Sequence, residues 1–152
     1  MIKLAQMCNL PAYLTFTVAV IVAWVGFQQY LLAREKFKLD LFEKRFAVYK
    51  ATQKFLVSLG SSEFGYDNTV QFLRDTQDAV FLFDQEIVDY LDTLYKKANT
   101  AIGVKFKYQH LPVGSERSVL CDQEMHLRLE LGNELIRLKD VFAPYLKFKV
   151  WK

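Results

Sequence analysis

Cysteine, proline and glycine are scarce in this chain of 152 residues, at two, three and six. Cysteines as far apart as Cys8 and Cys121, without metal-ligand spacing, exclude a disulfide framework, and Cys121 reads as a reduced thiol in a reducing compartment. The glycines never form G-x-x-x-x-G-K-[ST] or G-x-G-x-x-G, so no phosphate-cradling loop supports nucleotide binding. An excess of one charge is also missing. Twenty basic side chains against seventeen acidic ones give +3, too mixed for a nucleic-acid surface, which needs clustered Lys and Arg. The most informative absence is local: from Leu4 to Ala33 there is no Asp, Glu, Lys, Arg or His.

Within that run, Leu10 to Phe27 reads "LPAYLTFTVAVIVAWVGF". Eighteen residues of helix rise about 27 Å, close to the roughly 30 Å hydrocarbon core of a bilayer. Pro11 suits a first helical turn, where its missing N–H is not needed, and Trp24 and Tyr30 suit one interface. No A-x-A-like cleavage site follows Val25, so the pattern is not that of a signal peptide. So long a charge-free run also fits poorly as the core helix of a domain this small. The expected organisation is a short extracytoplasmic N-terminus over 1–9, a transmembrane helix over 10–32 and a cytoplasmic helical domain over 33–152. Orientation follows from basic flanks: only Lys3 precedes the span, whereas Arg34, Lys36, Lys38, Lys44, Arg45 and Lys50 follow it. Arg34, Lys36 and Lys38 are the candidates for the membrane surface. Thr15, Ala19 and Ala23 form a small-residue stripe that would let two spans approach.

Beyond the span, the breaks are "LGSSEFGYDN" (59–68) and "QHLPVGSER" (109–117). Between them Val70, Leu73, Gln77, Val80 and Phe81 recur at helical steps, and Ile87, Leu91, Leu94, Ala98 and Ile102 form a second stripe, with Asp84 placed as its N-cap. Leu127, Leu131, Leu135, Leu138 and Phe142 form a third, which stops at Pro144. "MHLRLEL" (125–131) alternates as a strand would, but its Leu, Glu and Arg favour helix. "VKFKY" (104–108) and "KFKVWK" (147–152) look extended; a small ribbon, frayed helix ends and contact with an anionic leaflet are the readings open to them.

The junction "AREKFKLDLFEKRFAVYK" (33–50) carries two apolar seams when wound as a helix. Leu39, Phe42, Phe46, Tyr49 and Leu56 form one; Phe37, Leu41, Val48, Phe55 and Leu59 form the other. Helices of the same chain account for cover on both sides, while the spacing by sevens of Leu41, Val48 and Phe55 suggests contact with another copy. Phe37, Leu41, Val48 and Phe55 are therefore interface candidates. "REKFKLDLFEKRFAVYKA" resembles the juxtamembrane signature, REKxxLDLFEKRFxVY, of an uncharacterised family of small bacterial single-pass membrane proteins. "AVFLFDQEIVDYLDTL" and "FAPYLKF" resemble further blocks of that group, so the resemblance covers Trp24 to Phe148 and implies a bacterial inner-membrane topology without a particular chemistry.

Chemistry has little foothold. Asp122, His126 and Glu130 share a helix face, but ligands at successive turns of one helix rarely suffice for a metal, and a solvated face explains them. Cys121 with His126 or His110 lacks a nucleophile-elbow context. The expectation is all-α: an N-terminal transmembrane helix continuous with a cytoplasmic bundle of three to four helices. No catalytic, metal or cofactor residue is assigned, and the chain is not expected to be an enzyme. Its expected partners are the lipid bilayer and a protein or a second copy, with no nucleic acid and no small-molecule substrate. The function expected is that of a single-pass inner-membrane interaction or scaffold module. The alternative is a membrane effector or accessory of a stress or anti-phage system, acting through self-association of the spanning helix.

Overall fold

The computed structural model describes residues 10–61 and 64–147. The expected N-terminus over 1–9 and most of the "KFKVWK" segment lie outside these residues. The fold is all-α: a long N-terminal apolar helix followed by a helical region, with no strand among the described residues. The helices are α1 (Leu10–Ser58), α2 (Tyr66–Thr76), the single turn α3 (Ala79–Leu82), α4 (Gln85–Gln109) and α5 (Ser115–Leu146). The chain divides into two compact units, one ending at Asp40 and one beginning at Leu41.

In the first unit, α1 is long and apolar enough to span a membrane. Its most apolar eighteen-residue window has a mean hydropathy of 1.6, and none of that window is buried. Leu14, Phe16, Val18, Ile21, Trp24 and Phe27 all face outward. The Thr17 hydroxyl donates to the Tyr13 carbonyl at 2.8 Å, returning its polar group to the helix backbone.

The second unit holds the core. Val48, Thr52, Phe55 and Leu59, one helical turn apart, are the buried face of α1, joined by Leu56. Thr52 is fully buried because its hydroxyl donates to the Val48 carbonyl at 2.9 Å, leaving no unpaired polar group. Phe55 stacks on Phe72 of α2, with ring centroids 4.1 Å apart. On α4, Ile87, Leu91, Leu94 and Ala98 are buried and Ile102 packs against the core, as the periodicity predicts. Leu131, Leu138 and Phe142 do the same for α5, whose contact with α4 is the most extensive between elements. Phe142 meets Tyr49 and Phe83 edge-on at 5.7 and 5.4 Å.

Three local expectations change, and one that was left open is decided. The buried face of α2 is Thr69, Phe72 and Thr76, followed by Ala79 of α3, while Leu73, Val80 and Phe81 point outward. Buried threonines are tolerated there because both hydroxyls donate to carbonyls of their own helix, Thr69 to Tyr66 and Thr76 to Phe72. "VKFKY" is the last part of α4: Val104 is buried one turn past Ala101, so helical burial outweighs a five-residue alternation. Helix α5 runs two residues past Pro144, since a proline this close to a helix end removes one hydrogen bond from the last turns only. Asp84 is the N-cap residue of α4, but its side chain does not cap; it accepts instead from the Tyr145 hydroxyl at 3.1 Å.

Candidate functional site

The predicted interface residues separate along α1. Phe37 is exposed and Leu41 half-buried, whereas Val48 and Phe55 sit in the core, covered by helices of the same chain. The second seam is therefore closed from Val48 onward and unavailable to another copy there. Of the basic residues that follow the apolar run, Arg34 and Lys36 are exposed, and Lys38 pairs with Glu35 at 3.1 Å. Ala19 and Ala23 of the small-residue stripe are exposed on α1.

Arg45 gathers three elements at one end of the bundle. Its Nε donates to the Leu82 carbonyl at 2.8 Å, and its guanidinium lies 5.7 Å from the Phe83 ring and 5.8 Å from the Tyr145 ring. Burial pulls the Arg45 pKa below its ordinary value, opposed by the nearby Asp84 carboxylate. The guanidinium thus binds the α3–α4 junction and the end of α5 to α1 by hydrogen bonding, ring contact and charge together. In the sequence it is one of the six basic residues that follow the apolar run.

Arg128 does the same at the α1–α2 turn. Its Nη2 donates to the Ser61 carbonyl at 2.7 Å, its guanidinium lies 5.7 Å from the Phe64 ring, and its Nε is 3.3 Å from a carboxylate oxygen of the buried Glu124. Lys105 donates to the Phe64 carbonyl at 3.1 Å. Two cations thus donate to carbonyls around this turn, where Ser61 also accepts from the Phe64 N–H at 3.3 Å. Replacing Arg128 by alanine is expected to lower stability by about 2–3 kcal/mol, through the lost charged hydrogen bonds and the carboxylate left behind. Urea unfolding of the detergent-solubilised chain measures this, and a loss as large in Glu124→Gln would assign the effect to the pair.

Between α4 and α5 lies an open groove of about 420 Å³, lined by Tyr90, Lys97, Glu134 and Arg137 among others. Lys97 bridges to Glu130 at 3.4 Å, and His126 lies 3.4 Å from the same carboxylate. Glu130 thus has the Lys97 ammonium and the His126 imidazole as neighbours. Among the described residues, no group of three or more His, Cys, Asp or Glu is placed to hold a metal. The Tyr90 hydroxyl and Glu134 Oε2 are buried and form no hydrogen bond with described residues. Burial first, and then the Glu134 charge, push the Tyr90 phenol well above its ordinary pKa. A raised pKa favours the protonated phenol in the folded state. Its contribution is complete below about pH 10 and is lost as pH rises through the folded value. Tyr90→Phe is therefore expected to be neutral or stabilising by up to ~1 kcal/mol at neutral pH, and to lose less stability between about pH 9 and pH 11. An unchanged alkaline loss by urea titration would contradict this.

Two exposed apolar faces complete the surface of the second unit. One is Leu73, Val80 and Phe81 on α2 and α3. The other is Met125, Leu129 and Ile136 on α5, beside an open groove of about 600 Å³ that Leu56, Val57 and Leu59 line from the α1 side. The α5 set lies at helical steps of four and seven residues, away from the stronger leucine stripe that packs in the core. No known family model matches the chain, and neither a curated protein nor a solved structure does.

Proposed function

We propose that the chain is a single-pass inner-membrane protein whose helical bundle lies on the cytoplasmic side and serves as an interaction module, holding a protein partner at the membrane. The single observation carrying this reading is the contrast between the units. The first leaves every residue of its most apolar window exposed, which water does not favour and a bilayer does. The second has its own closed core and still presents apolar faces at the surface. The basic residues Arg34, Lys36, Lys38, Lys44, Arg45 and Lys50 after the span support a cytoplasmic bundle.

Crosslinking in native membranes, followed by solubilisation and mass spectrometry, tests the reading. The chain is expected in the carbonate-resistant membrane fraction, crosslinked to protein through residues of the bundle. Recovery in the carbonate-soluble fraction, or crosslinks confined to residues of the span, would count against it.

A further inference from the structure

We propose that the lysine-rich segment after α5, "KFKVWK" (147–152), docks on the chain's own bundle, in the apolar groove between α2–α3 and the first half of α4. The inference goes beyond the anchored interaction module and does not depend on it.

The groove holds about 180 Å³ and is lined by Leu73, Val80, Val88 and Leu91 among others, together with the exposed Asp92. Leu73 and Val80 are 50% and 54% exposed, and the ring of Phe81 beside them is 85% exposed. Three large apolar side chains thus stand in water within one short stretch of chain, and the bundle's own core is closed without them.

The place where α5 ends identifies the occupant. The Tyr145 hydroxyl donates to Asp84 at 3.1 Å and its ring lies edge-on to Phe83 at 5.4 Å, so the chain leaves α5 beside the α3–α4 junction. Val80 precedes Phe83 by three residues, and Val88 follows Asp84 by four, about 6 Å along a helix. The near end of the groove therefore borders the same junction. Five residues follow Lys147 in the sequence, and extended they span about 16–18 Å. That is enough to cross the start of α4, a helix about 10 Å wide, and reach Val80 and Val88.

Charge points the same way. Between Leu73 and Asp92 there are six carboxylates, and Arg74 is the single base. "KFKVWK" carries three lysines and no acid. Docked in extended form, the segment turns Phe148 and Val150 to one side and Lys149 and Trp151 to the other. Two apolar side chains then enter the groove, while the lysine and the indole stay at its rim among the carboxylates and near Phe81. Exposed ion pairs and a short apolar strip are weak between free molecules, but the tether to α5 supplies a high effective concentration. The docked segment covers one of the two exposed apolar faces of the bundle, so a partner that uses this face must displace it.

The test uses the full chain with Trp24→Phe, which leaves Trp151 as its single tryptophan, in nanodiscs of phosphatidylcholine. Trp151 is expected to emit at short wavelength and to be shielded from acrylamide. Val80→Lys removes apolar area and adds repulsion, and is expected to lower the docked-to-free ratio about tenfold, read as a red shift and a gain in quenching. Lys149→Glu combined with Lys152→Glu is expected to do the same. Both of these residues follow the last helix, so this second variant separates undocking from a folding defect. Equal quenching in the parent and both variants would overturn the docking. Shielding that appears only with phosphatidylglycerol, or quenching of Trp151 by brominated lipid, would overturn it in favour of contact with an anionic leaflet.

Discussion

Phe142→Ala is expected to destabilise the helical bundle by about 3–5 kcal/mol, the range for removing a fully buried aromatic ring whose site collapses poorly. The ring has no exposed surface and sits edge-on to Tyr49 of α1 and to Phe83 in the α3–α4 junction, so one truncation opens a cavity between α5, α1 and that junction. Neither neighbour can refill it easily: Tyr49 is stacked on Phe46 and Phe83 is edge-on to Tyr145. The loss is read from urea unfolding of the solubilised chain, followed by near-ultraviolet circular dichroism of these aromatics. A loss under about 1 kcal/mol, the scale of a surface substitution, would contradict the packing. Phe142→Leu keeps much of the volume and is expected to fall in between.

The second large effect concerns the span. Val18→Arg combined with Ile21→Arg puts two guanidinium groups one turn apart on the exposed face of α1, near the centre of the expected 10–32 segment. Translocon scales assign about 2.5–3.5 kcal/mol to each central arginine, so the pair opposes insertion by about 5–7 kcal/mol. The variant is expected to leave the carbonate-resistant fraction while Ile21→Leu stays in it. Retention of the double arginine variant in that fraction would mean that α1 does not cross the hydrocarbon core.

How much of this was legible in the sequence depended on whether local and long-range forces agreed. The long apolar helix and the α4 stripe of Ile87, Leu91, Leu94 and Ala98 were readable because composition and period point the same way. For α2 the leucine and valines marked a helix but not its buried face. Thr69 and Thr76 reach the core by bonding to their own backbone, so they pack as small apolar groups would, which hydropathy does not record. The alternation of "VKFKY" left strand and helix end both open because five residues fit either period, and the neighbouring Ala101 decides in favour of helix. Arg45 and Arg128 carried no visible signal. Their partners are the carbonyls of Leu82 and Ser61, 37 and 67 residues away, and a backbone acceptor can belong to any residue. Phe37, Leu41, Val48 and Phe55 share one stripe by period, yet period alone cannot say where a helix enters its own core and where it remains bare.

Cysteine accessibility in spheroplasts tests the central claim, a bundle anchored by α1 with its mass on the cytoplasmic side, most directly. Cys121 is exposed on α5, so its reaction with a membrane-impermeant maleimide reports its compartment and is not limited by burial. Cys121 is expected to stay unmodified in intact spheroplasts and to be modified once they are lysed. Modification of Cys121 before lysis would contradict it.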